Sequence, residues 1–239
     1  MAQATVEIPS MERQDAERRQ ERRLKMSYEE FLAWSDEDTH AEWVALSEEN
    51  KGEVIVFMPP KTLHQRVIGF LHSLLDLFVN LFDLGVVVVA PLEMQVARQG
   101  SSREPDILFV AQENLARLTE ERLAGPADLI IEVVSDDSVH RDRHDKYREY
   151  RDAGVREYWV VDPRPDKRRA DFFRLDAGGD YELYATEEDE KVASAVLTGF
   201  WLRPAWLWQA DTLNPLTCCL EIDGVAEALT QHIADVRRT

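Results

Sequence analysis

Glu132 is the single carboxylate inside the apolar run Ala127-Asp128-Leu129-Ile130-Ile131-Glu132-Val133-Val134 once the strand has begun. A carboxylate buried in apolar surroundings costs several kcal/mol unless a cation or hydrogen bonds compensate it, so this residue asks for a chemical explanation. A second acid, Asp106, stands at the start of Pro105-Asp106-Ile107-Leu108-Phe109-Val110. If the two strands are neighbours, both acids reach one edge of the sheet. A hard divalent cation such as magnesium, with manganese as a substitute, prefers such carboxylate oxygens together with a backbone carbonyl and retained waters. The carbonyl of Val133 is the natural additional ligand. A cation held there would polarise a phosphoryl oxygen and lower the pKa of an attacking water. Asp142 and Lys146 follow on a helix, four positions apart, and Lys146 is placed to orient that water or to neutralise developing charge. Each residue also has a plainer role. Asp106 could cap a turn, Glu132 could pair with any nearby Arg or Lys, and Asp142–Lys146 could be a surface ion pair worth a few tenths of a kcal/mol. Tyr147 and Tyr150 read most simply as packing groups.

The elements that must position these residues are legible from periodicity. Ser27 with Glu30 forms a capping-box pattern opening a helix over 27–34, whose apolar side uses Tyr28, Phe31, Leu32 and Trp34. A second short helix is expected around Glu42, Trp43 and Val44. Residues 53–58 read as a strand stopped by Pro59-Pro60. From His64 to Phe82 the spacing of Val67, Ile68, Leu71, Leu74, Leu75, Phe78, Val79 and Phe82 is helical. After Gly85 comes a continuous apolar strand over 86–90, of the kind found inside a sheet. A helical excursion is expected over 112–123. A strand over 127–134, a helix over 138–153 capped by Gly154 and a strand over 157–162 imply a crossover between parallel neighbours. Residues 170–175 and 181–185 read as a hairpin, 192–208 as an edge strand and a covering turn, and 222–236 as a short amphipathic helix.

With 239 residues and 44% hydrophobic content, the chain can bury a substantial core. No apolar run is long enough for a membrane span, and the N-terminus lacks a signal-peptide pattern, so a cytoplasmic protein is expected. Adjacent Cys218 and Cys219 match neither a disulfide framework nor zinc spacing. The formal charge of −18 argues against a broad basic nucleic-acid surface, but it leaves room for a local site. Much of the acidic excess lies outside the segment from Asp136 to Arg174, where the signs are nearly balanced. That segment is either a solvated helix-and-hairpin face or a substrate-facing patch.

An ordered set of residues resembles a known family. It comprises Glu42, Gly52-Glu53-Val54-Ile55, Met58-Pro59-Pro60, His64, Pro105-Asp106, Ile131-Glu132-Val133, Asp142 with Lys146 and Tyr150, and the run from Gly154 to Pro163. Together they resemble the putative restriction endonuclease family of the PD-(D/E)XK phosphodiesterase superfamily over residues 26–208. The resemblance implies an α/β fold with a restriction-endonuclease-like mixed β-sheet core flanked by helices, a magnesium-dependent site acting on DNA, and a homodimer. Asp106 and Glu132 correspond to the metal-binding acids and Glu42 to an additional acid from an early helix, while His64, Asp142 and Tyr150 support the site. The lysine usual two positions after the second acid is replaced by Val134, and the resemblance assigns its role to Lys146. Residues 1–25 and 209–239 are read as extensions around the nuclease-like domain. The competing expectation is a nuclease-fold protein that binds nucleic acid or a partner without efficient cleavage.

Overall fold

The computed structural model describes residues 22–35, 41–47, 51–56, 62–96, 102–135 and 138–238. The charged segment 1–21 and Met58-Pro59-Pro60 lie outside the described residues. The described chain opens with an antiparallel unit of β1 (Arg22–Ser27), α1 (Tyr28–Trp34), β2 (Ala41–Ser47) and β3 (Lys51–Val56), with strand order β1-β3-β2. The capping box forms as the sequence predicts, the Ser27 side chain accepting from Glu30 N–H and the Glu30 carboxylate from Ser27 N–H. Only Phe31 of that helix is buried, whereas Leu32 and Trp34 face outward. The expected helix around Glu42 is instead strand β2. Ala41, Trp43 and Val54 join Phe31 in a small separate core, and the Trp43 indole N–H donates to the Met26 carbonyl.

Helix α2 (Thr62–Leu81) forms as its spacing predicts and buries Val67, Leu71, Leu74, Leu75, Phe78 and Val79. Each such side chain contributes about 1.5–3 kcal/mol on burial. It leads to β4 (Gly85–Val89), β5 (Glu93–Gln95), β6 (Ser102–Arg103), β7 (Ile107–Ala111), a 3-10 turn over Gln112–Arg117, β8 (Arg122–Leu123) and β9 (Leu129–Val133). The expected excursion over 112–123 is therefore only half helical. Gly85 has φ +146°, and a Cβ there would stand 2.1 Å from the Val110 carbonyl oxygen, so the tight approach of β4 to β7 needs glycine.

A π turn over Arg141–Asp145 runs into α3 (Lys146–Ala153), which Gly154 ends in the left-handed conformation with φ 85°. Next come β10 (Glu157–Asp162), β11 (Arg169–Leu175), β12 (Tyr181–Thr186), β13 (Val192–Ala193), β14 (Trp201–Leu202), α4 (Pro204–Leu207), α5 (Pro215–Leu220) and α6 (Val225–Val236). The main sheet is mixed, in the order β12-β11-β10-β9-β7-β4. Strands β9 and β10 are parallel neighbours, as the crossover requires, and the β11–β12 hairpin is antiparallel. Strand β4, for all its valines, is an edge strand with Val86 exposed rather than a central one. Its hydrophobicity is spent on α2, against which it packs.

Period-two alternation divides the core. Ile107, Phe109, Leu129, Ile131, Val133, Trp159 and Val161 face α2 and the C-terminal helices. Leu108, Val110, Ile130, Tyr158 and Val160 face α3 together with Tyr150. Glu132, two residues from Ile130, therefore projects towards α3. Residues 192–208 form their own two-stranded ladder and a short helix, and bury Trp201 and Trp206 against each other, with ring centroids 5.6 Å apart. These tryptophans are accordingly part of the core and offer little to another protomer. Their strap is fastened by Glu157, fully buried, which accepts hydrogen bonds from the Trp159 indole, Tyr184 hydroxyl, Ser194 hydroxyl, and the Ala195 and Val196 N–H groups. No described helix is long and apolar enough to cross a membrane.

Candidate active site

Strands β7 and β9 pair antiparallel with Ile107 opposite Ile131, which brings Asp106 opposite the Glu132–Val133 end of β9. The Asp106 Oδ2 accepts the Val133 N–H at 2.7 Å, a link that fixes the acid to the strand bearing the second one. His64, in the first turn of α2, places Nε2 3.4 Å from the same Oδ2. Burial works against a charged imidazole, but hydrogen bonds and charge from Asp106, with a backbone contact at Val133, raise its pKa on balance. Asp106 and His64 therefore converge beside the main chain of Val133.

Lys146 opens α3 directly above Glu132. Its Nζ donates to Glu132 Oε1 at 2.9 Å and lies 3.1 Å from Glu42 Oε1 and 3.7 Å from Asp142 Oδ1, all four side chains being at most 4% exposed. The i, i+4 relation of Asp142 and Lys146 is thus a fully buried contact and not a solvated surface pair. The Tyr150 hydroxyl, one turn further on, donates to the same Glu132 Oε1 at 2.8 Å, so this tyrosine both packs and fixes the acid. The π turn keeps Asp142 on the inner face, and the Tyr158 hydroxyl donates to its carbonyl at 2.8 Å. Val134, two residues after Glu132, is buried in the apolar layer under α3.

Glu42 comes from strand β2 and not from a helix, yet its side chain reaches this cluster. Arg103, a residue with no mark in the sequence beyond its nearness to Pro105-Asp106, holds it there. Its Nη1 donates to Glu42 Oε2 at 2.9 Å, while Nε and Nη2 form a two-pronged contact with Glu149 at 2.7 and 2.8 Å. Arg103 thereby ties β2 to α3, since Glu149 lies three residues after Lys146 on the same helix. Burial opposes ionisation of Glu42, but Lys146, Arg103 and Arg141 outweigh it and hold its carboxyl down at about 2. Glu132 goes the other way. Burial raises it, Lys146 only partly offsets that, and Asp106, Asp142 and Glu42 add repulsion, so its carboxyl is pushed up to about 8. Glu104, beside Arg103, is likewise pushed up to about 8 by burial and by Glu42. Desolvation pulls on the Lys146 ammonium, yet the ring of carboxylates more than restores it and keeps it charged.

Such a set has more negative than positive charge to place. Asp142 Oδ1 and His64 Nδ1 are buried without hydrogen-bond partners, and Glu132 ionises reluctantly. Among the described residues no three His, Cys, Asp or Glu side chains form a metal cage on their own. Two carboxylates on paired strands, an adjacent main-chain carbonyl and water are instead the donor set suited to magnesium, which retains much of its hydration. The residues present fit a hard divalent cation.

Comparison with known proteins agrees with this architecture. Among solved structures, the chain resembles a putative nuclease belonging to DUF820 from Anabaena variabilis, with a TM-score of 0.62 and 16% identity, covering 77% of this chain and 98% of that one. That likeness is one of fold. No curated protein matches the chain. The sequence pattern of the Uma2 family, described as putative restriction endonuclease, matches residues 28–205, which contain every residue of the acid–lysine cluster, and the chain belongs to that family.

Proposed function

We propose that this protein is a magnesium-dependent endonuclease that hydrolyses phosphodiester bonds in DNA, with manganese able to substitute. The observation that carries this reading is the contact of Lys146 Nζ with Glu132 Oε1 at 2.9 Å on a strand paired with the one entered at Asp106. Asp106, Glu132 and the Val133 carbonyl would hold the cation. Magnesium bound there supplies Lewis-acid polarisation of a phosphoryl oxygen and acidifies an attacking water. Lys146 contributes a fixed positive charge for the phosphate as negative charge builds on its oxygens, and it need not reorganise to do so. Glu42, ionised and anchored by Arg103, sets the position of that ammonium. Tyr150 keeps the Glu132 carboxylate turned towards it, and His64 steadies Asp106. The resemblance also implies a homodimer, which the mass of the protein in solution tests.

The deciding experiment is plasmid nicking by the purified protein with magnesium, with manganese and with chelator, alongside Asp106→Ala and Glu132→Ala. Nicking that requires the cation and vanishes in both variants is expected. A wild-type protein that neither binds either cation nor nicks DNA, and behaves as Asp106→Ala does, would overturn the reading.

A further inference from the structure

The charge-balanced stretch from Asp136 to Arg174, which interrupts this acidic chain, is sorted by the fold. Four of its acids go inside: Asp142, Glu157, Asp162 and Asp171 are each at most 3% exposed. Among its described residues Arg148, Arg156, Lys167, Arg168, Arg169 and Arg174 are exposed, while Lys146 is buried, and Asp152, Asp166 and the Asp145 side chain are exposed acids. Among the described residues of this stretch, the exposed charges are mostly basic. Part of this surface is concave. Between α3 and β11 an open groove of 730 Å³ is lined by Arg143, Arg148, Arg151 and Arg169 together with His140, His144, Tyr147 and Phe173. Asp171, the one acid lining it, is already engaged by Arg143 and by Arg169 at 2.9 Å.

We propose that this groove carries the phosphate backbone of the DNA strand, on the outer face of the same helix whose inner face presents Asp142, Lys146 and Tyr150. The inference rests on the nuclease reading and adds to it the surface that holds the polymer. Three observations support it. Arg143, which lines the groove, is next in sequence to Asp142 of the buried cluster. The arginines are held on a rigid scaffold, with Tyr147 packed edge-on against Phe173 and Tyr181 at 5.0 and 5.2 Å between ring centroids. Their present partners are exchangeable: Arg148 meets Asp145 at 3.2 Å, and Arg151 meets Asp152 at 2.8 Å and Asp180 at 3.4 Å, all at the surface. Exposed pairs of this kind contribute about 0–1 kcal/mol, which a phosphate oxygen can replace. Several guanidinium groups along one open groove match a backbone of repeated negative charge more closely than a single small anion.

The test uses the full chain in chelator, so that binding is measured without cleavage. Anisotropy of a short fluorescent DNA duplex is recorded for wild type, for Arg148→Gln/Arg151→Gln and for Arg148→Lys/Arg151→Lys as salt is raised. Losing two phosphate contacts should reduce the slope of log affinity against log salt by about 1.8 in the glutamine variant, and the lysine variant should restore it. Hydrolysis of bis-para-nitrophenyl phosphate, too small to reach the groove, should be equal in all three. Wild-type binding with an unchanged slope in the glutamine variant would overturn the groove and leave the nuclease reading intact. Binding of polyglutamate but of no oligonucleotide would overturn the groove in favour of an acidic protein partner. Absence of nicking together with absence of DNA binding would remove both readings.

Discussion

Replacing Lys146 by Met removes the ammonium from a site where Glu132, Glu42 and Asp142 all lie within 3.7 Å of it, while nearly preserving volume. At an effective dielectric constant of about 20, a unit charge 3 Å from another is worth roughly 5 kcal/mol, most of which desolvation offsets in the intact cluster. Removing one partner leaves the carboxylates without that compensation, so the variant should lose about 3–5 kcal/mol at a pH where they must all be ionised. Protons can substitute for the lysine. The Glu132 carboxyl is already pushed up to about 8 and rises further without Lys146, so the folded variant binds more protons than the unfolded chain above the ordinary carboxylate range. Its stability then increases as pH falls from about 9 to about 5, by up to about 1.4 kcal/mol per pH unit and titrating group. Urea unfolding of both proteins in chelator at the two pH values gives the comparison. A deficit of 3–5 kcal/mol near pH 9 that shrinks clearly near pH 5 is expected. A deficit below about 1 kcal/mol, or one equal at both pH values, would refute the view that Lys146 compensates buried carboxylates.

Three further outcomes follow from the same contacts. Asp106→Asn should abolish the rise in melting temperature that magnesium or manganese gives the wild type, because ligand-linked stabilisation requires the site; calorimetric titration supplies the independent check. Tyr150→Phe removes a hydroxyl donated to Glu132 at 2.8 Å and should cost about 1–3 kcal/mol in denaturant unfolding while the far-UV spectrum stays unchanged. Gly85→Ala places a methyl group 2.1 Å from the Val110 carbonyl oxygen at a positive φ and should cost more than about 1 kcal/mol, whereas substitution of the exposed Gly69, with open space around it, should not.

The sheet and its crossover were readable because their segments are long and strongly patterned, and Glu132 stood out because it breaks such a pattern. Glu42 was misplaced for the opposite reason. Ala41, Glu42 and Trp43 are all buried, so β2 shows no alternation to separate strand from helix. Strand β4 reads as central because its exposed edge is set by sheet order, which no local pattern encodes. Arg103 and Glu149 were missed since each resembles an ordinary surface charge, one in a polar turn and one on a charged helix. Glu149 carried a faint signal in its three-residue offset from Lys146, while Arg103 needed the tertiary fold to bring β6 against β2 and α3. Glu157 and Asp128 were equally silent, although both are buried hubs, Asp128 accepting from Ala111, Asn114 and Arg156.

That Lys146 comes from a helix and not from the strand of Glu132 changes what could switch the proposed site off. A lysine two residues after Glu132 would be locked to it by the covalent chain and would part from it only if the sheet melted. Here the acid and the amine meet only while the short helix behind the π turn stays docked, through Arg103–Glu149, Tyr150–Glu132 and Tyr158 with the Asp142 carbonyl. Local opening of that one segment separates them while the six-stranded sheet stays closed. Amide exchange of Lys146 to Ala153 therefore reports whether the proposed site is assembled, and anything that grips the outer face of that helix holds the acid and its lysine together.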